Sequence, residues 1–204
     1  MKIGIIGTHI VGIRLAAEFA RAGHNILLAN SRRPEAVKAR LEESGVADVV
    51  TPASVVDVLE CPLVVLAAPW IKREEVLDST RDWQGRILLD ATNIYLSYPP
   101  NYRIDDLNGD SGSEIIARLA PTARVVKAFN TLDFGTMFSP VPAGMKRVLF
   151  AAGDDDNALT TVCGLIEDIG FRAVPLGSLA VGGRLMDLEQ PLSLLNLLTP
   201  SGTA

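Results

Sequence analysis

Hydrophobic residues in this chain fall into two alternating kinds of segment. Short, nearly continuous apolar runs have strand character, and longer segments repeat their apolar residues at helical spacing. The run KIGII (2–6) predicts a first strand. Residues 10–23 predict a helix with Val11, Leu15, Phe19 and Ala22 on its apolar face and Gly23 as its stop. A second strand follows at 25–30, then a helix at 34–45 opened by Pro34 and closed by Gly45. VADVV predicts a short third strand and SVVDVLE a short helix. A buried strand at 62–68 ends at Pro69, and REEVLDSTRDW reads as helical. Next come a strand at 85–92, a helix in SEIIARLAP, and strands at 123–129 and 146–153. The helix at 155–170 opens on aspartates, which suit the positive end of its dipole. FRAVPL is a last strand, and EQPLSLLNLL predicts an apolar closing helix.

Alternation of this kind implies an α/β fold, a doubly wound and mostly parallel sheet of Rossmann type with a short C-terminal helical extension. Residues 1–176 would form the nucleotide-binding domain. Residues 177–204 would be an extension on the dimer or substrate side, not an independent domain. The longest irregular stretch is 95–112, which carries Pro99, Pro100, Gly109 and Gly112. A loop of that length inside a compact domain is usually functional.

Bulk composition narrows the function classes. The chain has 204 residues, 48% hydrophobic and only 5% aromatic, with a mean hydropathy of +0.26. An aliphatic core of this kind suits strands covered on both faces. A net charge of −5 argues against nucleic acid or an anionic membrane surface as partner. No apolar run approaches a membrane span, and Gly4, Gly7 and His9 interrupt any signal-peptide core. The expected location is the cytoplasm. Cys61 and Cys163 read as free core thiols, and His9 and His24 have no metal-ligand spacing, so no metal site is expected.

The chemistry is concentrated in GTHIVG (7–12). It follows a strand and opens a helix, the context a dinucleotide-binding turn requires. Gly7 would permit the tight turn and Gly12 close helix–sheet packing, while the amides of Ile10 and Val11 would face a pyrophosphate. The middle position, a glycine in that fingerprint, is His9. Three readings stand: the imidazole turns to solvent, it donates to a phosphate oxygen, or the turn is degenerate. At the end of the second strand stand Ser31, Arg32 and Arg33, with no carboxylate to hold a ribose 2′-hydroxyl. A hydroxyl and two guanidiniums suit the 2′-phosphate of NADP(H).

These motifs resemble the F420-dependent NADP oxidoreductase family and its related dinucleotide-binding reductases. The resemblance is carried by GTHIVG, SRRPE, LAAPW (66–70), LLDATN (88–93), the long block 111–131, AAGDDDNAL and GSLAVGGRLMDLEQPL. It implies that Thr8, Ile10 and Val11 line the pyrophosphate and that Ala68 and Pro69 lie against the nicotinamide ribose. Trp70 would begin the next helix, and Asn93 and Asn130 would sit at strand ends near the nicotinamide. It also implies a deazaflavin or flavin as second substrate, the small-molecule electron acceptor.

No nucleophile elbow or Ser/His/Asp set is evident. Asp154–Asp156 read as helix-capping residues and Glu189 as a helix-start carboxylate. Catalytic residues stay unassigned, which is compatible with direct hydride transfer to a flat acceptor. The alternative is a non-catalytic NADPH-binding or redox-sensing module. Leu192, Leu194, Leu195, Leu197 and Leu198 are too many for one helix face, so a homodimer is expected.

Overall fold

The computed structural model describes residues 1–30, 34–80, 82–98 and 100–202. Its first half is a regular alternation: β1 (Lys2–Ile6), α1 (Ile10–Arg21), β2 (Asn25–Ala29), α2 (Pro34–Glu43), β3 (Val50–Pro52), α3 (Val55–Leu59) and β4 (Leu63–Leu66). A 3-10 turn at Trp70–Lys72 leads into α4 (Arg73–Leu77), then β5 (Ile87–Asp90). β6 (Tyr95–Ser97) and β7 (Arg103–Ile104) form a hairpin, followed by α5 (Gly112–Leu119), β8 (Arg124–Ala128), α6 (Phe134–Met137), β9 (Met145–Gly153), α7 (Asp156–Asp168) and β10 (Arg172–Pro175). A π-helical turn at Leu179–Gly183 runs into α8 (Arg184–Met186), and β11 (Leu198–Pro200) ends the chain's regular structure.

The main sheet has the order β3-β2-β1-β4-β5-β8-β9-β10. From β3 to β8 every pairing is parallel, as expected. β9 then runs antiparallel to β8, and β10 follows β9. The reason is local. A parallel strand needs a crossover element to return the chain to its starting edge, and the single-turn α6 between β8 and β9 is too short to be one.

Alternate strand residues feed two apolar layers. Ile3, Ile5, Leu63, Val65 and Leu89 pack with Leu15 and Phe19 of α1 and Val162 and Ile166 of α7. Ile6, Val64, Leu66 and Leu88 pack on the other face with Val58 of α3, Ile116 of α5, Trp70 and Trp83. A Cβ on Gly4 would lie 2.5 Å from the Val58 carbonyl oxygen, so α3 sits directly on β1. Ser54 and Ser111 form capping boxes with Asp57 and Glu114, which starts α3 and α5 where they are needed.

Several expectations are corrected. The third strand lies at Val50–Pro52, later than VADVV, and the helix after Pro69 stops at Leu77. The stretch 95–112 is partly ordered as the β6–β7 hairpin. Cys61 is buried, but Cys163 is only half-buried. The closing apolar helix does not form. Residues 191–194 make turns and Leu198–Pro200 pair antiparallel with Arg147–Met145 of β9. β9 extends beyond its pairing with β8, and the exposed ladder there takes a strand in preference to a free-standing helix. The buried Arg147 fixes the arrangement by donating to Asn196 Oδ1 (2.9 Å) and to the carbonyls of Met137 (2.6 Å) and Ser139 (2.9 Å). Glu189 accordingly starts no helix; it stands in a turn with φ 63. The segment also reaches the sheet at its N-terminal end, where Asp154 Oδ1 accepts from the Leu179 amide at 3.0 Å.

Candidate functional site

β1 lies between β2 and β4, so successive crossovers leave it in opposite directions and the strand ends part beside it. The GTHIVG turn spans that point. Gly7 has φ +131, and a Cβ on it would meet the Ala67 carbonyl oxygen at 2.3 Å. A Cβ on Gly12 would meet the Gly7 carbonyl oxygen at 1.9 Å. Both positions demand glycine. His9 does not: its φ of −86 and ψ of −176 are extended backbone open to any residue, and its side chain is exposed.

His9 is also the N-cap of α1, and its side chain caps nothing. Ser54, Ser111, Asp133 and Asp155 each accept a first-turn amide of their own helices, so Asp155 has the capping role expected of it. α1 has no such acceptor and no acidic residue in its first turn. Its first amides, those of Ile10 and Val11 among them, therefore stand at the positive end of a 12-residue helix without a side-chain partner. The glycine-lined turn and the uncapped helix fit a pyrophosphate.

Two cavities meet at this turn. The first, of about 530 Å³, lies toward β2 and α2 and is lined by Gly7, Thr8, His9, Asn30, Arg40 and Lys72 among others. Thr8 is buried, and its hydroxyl accepts from Asn30 Nδ2 at 2.9 Å. Asn30 thus places an amide where an NAD-preferring protein holds a carboxylate. Ser31, Arg32 and Arg33 lie outside the described residues. Arg40 and Lys72, which the sequence reading missed, bring two further cations to the same cavity, paired with Glu43 (2.6 Å) and Glu75 (2.7 Å) respectively. They belong to different elements, and only folding brings them together.

The second cavity, of about 460 Å³, lies toward β4 and β5. Its walls are His9, Ile10, Val11, Ala67, Ala68, Pro69, Ala91, Thr92, Asn93, Tyr95 and Tyr98. His9, Ala68 and Pro69 border both cavities, so the two form one groove across the strand ends. Among the described residues, the second half has no carboxylate, lysine or arginine in its lining. Tyr95 and Tyr98 were also missed; the signal was available, because all three tyrosines of the chain lie within NIYLSYPPNY. Tyr98 is partly exposed; partial desolvation, with Tyr95 beside it, pushes its hydroxyl above the ordinary pKa.

Three of the described expected residues line neither cavity: Gly12, which packs against the Gly7 carbonyl, Trp70 and Asn130. Trp70 is fully buried beneath the groove, where its indole donates to Asp105 Oδ2 at 2.8 Å and the Arg73 guanidinium covers its ring at 4.2 Å. Asn130 is buried behind Asn93: Asn93 Nδ2 donates to its carbonyl oxygen (3.1 Å), and its own amide donates to the Met186 carbonyl (2.7 Å).

Under this floor lies a charged network. Asp90 Oδ1 accepts from both the Thr92 amide (2.9 Å) and the Thr92 hydroxyl (2.7 Å), which shapes the turn after β5. Its other oxygen accepts from the Ser113 hydroxyl. Lys127 Nζ, with no exposure, lies 3.7 Å from Asp90 Oδ2 and 3.1 Å from Asp187 Oδ1. Asp187 also accepts the Gly112 amide at 3.0 Å. Burial by itself lowers a lysine's pKa; the two carboxylates overcome it and hold Lys127 above the usual lysine range, so it is charged. One ammonium thus ties β5, β8 and the segment after α8 together under the groove. A lone lysine in the apolar run RVVKAF was its trace in the sequence.

Comparison with known proteins agrees with this geometry. Residues 2–94 match the model of the family described as NADP oxidoreductase coenzyme F420-dependent. The chain is 32% identical over 209 residues to the F420-dependent NADP reductase of Methanothermobacter thermautotrophicus, covering 97% of this chain and 89% of that protein. It is 28% identical over 180 residues to metalloreductase STEAP3 of Rattus norvegicus, matching 88% of this chain but spanning only 34% of that longer protein. A crystal structure of a hypothetical protein from Sinorhizobium meliloti superimposes with a TM-score of 0.87 at 35% identity, covering 98% of this chain and 96% of that one. Glycine-dependent turn, uncapped helix, switch-point groove and near full-length similarity converge: this chain belongs to the F420-dependent NADP oxidoreductase family and is an NADP-dependent oxidoreductase.

Proposed function

We propose that the chain transfers hydride between NADP(H), bound along the groove, and a flavin-like or deazaflavin acceptor that stacks in the second cavity. The adenosine and its 2′-phosphate would lie in the first cavity, near Arg40, Lys72 and the Ser31-Arg32-Arg33 sequence. The pyrophosphate would meet the amides after His9, and the nicotinamide would lie against Ala68, Pro69 and Asn93. When bound, the cofactor supplies the hydride. The chain's residues position the two rings and exclude water.

The observation that carries this reading is the lining of the second cavity. It is largely apolar and aromatic, and among the described residues that line it only His9, Tyr95 and Tyr98 have ionisable side chains. Reduction of a carbonyl or imine calls for a positioned proton donor, and among the described residues no hydrogen bond fixes the hydroxyl of Tyr95 or Tyr98. Carbon-to-ring hydride transfer calls for stacking and a dry cavity instead. A homodimer is supported by Leu194, Leu195 and Leu197 before β11 and Leu198 at its start, all exposed, and the cytoplasm is the location the sequence leads us to expect. Among the described residues no helix is long and apolar enough to cross a membrane.

The deciding experiment is anaerobic NADPH oxidation with coenzyme F420, riboflavin, FMN and FAD as acceptors, beside a calorimetric titration of NADPH. Binding with turnover of at least one ring acceptor is expected. Binding without turnover of any would favour the redox-sensing module instead.

A further inference from the structure

The groove continues past the second cavity. Tyr95 borders that cavity and also a further one, which Tyr102, Leu188 and Glu189 line. Leu188 and Glu189 in turn border the next, lined also by Asp106 and Arg184. Charge changes sign along this path. At the β2 end the described lining has two cations, Arg40 and Lys72, and one carboxylate, Glu75. At the far end carboxylates outnumber cations. Glu189 accepts only the Tyr102 hydroxyl (3.1 Å) and Asp106 the Asn108 amide (3.0 Å), and among the described residues neither has a cation within ion-pair distance. Asp105 and Asp110 have Arg73 (3.7 Å) and Arg118 (2.7 Å), while Asp187 shares Lys127 with Asp90, which is buried and lines none of these cavities. Arg184 is the one cation among the lining residues there.

The junction between these halves is aromatic. The Tyr95 and Tyr98 rings are 4.8 Å apart and inclined at 34°, and Tyr102 meets Tyr95 edge-on at 5.7 Å. Tyr98 is 57% exposed and so has a face available to a further ring.

Building on the hydride-transfer reading above, we propose that this site selects a planar ring acceptor without an anionic tail: a neutral isoalloxazine such as riboflavin, in preference to a phosphorylated flavin or an acidic deazaflavin. The tyrosines recognise the ring. Asp106 and Glu189, both exposed at the far end, repel a phosphate or carboxylate that approaches them, most strongly at low ionic strength where their field is least screened. In the reaction NADPH gives a hydride from nicotinamide C4 to ring N5, and ring N1 takes a proton from water. NADPH is oxidised to NADP+, and the ring is reduced by two electrons to its dihydro form.

The test uses the full chain, with anaerobic initial rates for NADPH and riboflavin, FMN or coenzyme F420, at low salt and at high salt. The expected result is a kcat/KM for riboflavin about tenfold above that for FMN at low salt, a gap that narrows as salt screens the carboxylates. The double substitution Asp106→Asn with Glu189→Gln, whose side chains are near-isosteric, is expected to raise the FMN-to-riboflavin ratio several-fold. FMN or coenzyme F420 matching or exceeding riboflavin in the unaltered chain overturns the inference and leaves hydride transfer standing. So does a ratio the double substitution does not move. NADPH binding with every ring inert overturns the hydride-transfer reading and the inference with it.

Discussion

His9 is where sequence expectation and geometry meet most directly. A histidine in place of a glycine suggests a spoiled turn, yet the backbone there is extended and the side chain exposed, so the turn forms without a glycine at this position. His9→Gly is therefore expected to leave NADPH affinity nearly unchanged at both pH 6 and pH 8. Were the imidazole a phosphate ligand, calorimetry would show a loss of about 1–2 kcal/mol, larger at pH 6. Gly12 is the opposite case. Gly12→Ala places a methyl group against the Gly7 carbonyl and should cost on the order of 1–3 kcal/mol, seen as a lower melting temperature together with weaker NADPH binding. Lys127 gives a third residue-scale expectation. Its removal leaves Asp90 and Asp187 buried without a counter-charge, so Lys127→Met should cost about 3–5 kcal/mol in denaturant unfolding. A loss below about 1 kcal/mol would show that the network is not structurally important.

Among the elements, the β6–β7 hairpin has the largest consequence for function. Its strands are two or three residues long, too short for independent stability, and it is anchored by Tyr95, Leu96 and Ile104 packing on the apolar layer that contains Trp70 and by the Tyr102 hydroxyl donating to Glu189. Tyr98→Ala should lower kcat/KM for a ring acceptor by about tenfold, the value of one lost aromatic pair, while the NADPH dissociation constant moves little. Equal losses in both would place the tyrosine against the cofactor instead. α1 shows how an element's end becomes a site. The helix is built like its neighbours on the apolar side, but its N-terminus lacks the cap that Ser111 and Asp155 give to α5 and α7.

The whole molecule contributes two further expectations. If the exposed leucines of the C-terminal segment meet a second copy, sedimentation at micromolar concentration should show a dimer, and Leu194→Glu with Leu197→Glu should dissociate it. A monomer in the unaltered chain refutes this. The pH dependence of stability follows from Lys127. Its folded pKa is raised above the unfolded value of about 10.4, so its contribution is complete below that value and is lost as pH rises through the folded pKa. Chemical unfolding should therefore show this contribution intact from neutral pH to about pH 10, with the loss confined to more alkaline solution.

Much of the fold was legible in the chain because its signals are local. Periodicity distinguishes a buried strand from an amphipathic helix within a few residues, and Gly7 and Gly12 record close approaches made within one turn. The parallel half of the sheet and the dinucleotide turn followed from those alone. Tertiary structure decided the rest, since the partners are distant in sequence. The closing leucines read as a helix until the open ladder of β9 and the fourfold donor Arg147 took them as a turn and a strand. Trp70 matched a motif, but packing carried it under the groove. Arg40 and Lys72 came together across two elements, and Lys127 found two carboxylates 37 and 60 positions away. Periodicity reports which face of an element is buried; it does not report which other element that face will meet. The lining of the groove, and the change of charge sign along it, therefore exist only once the chain has folded.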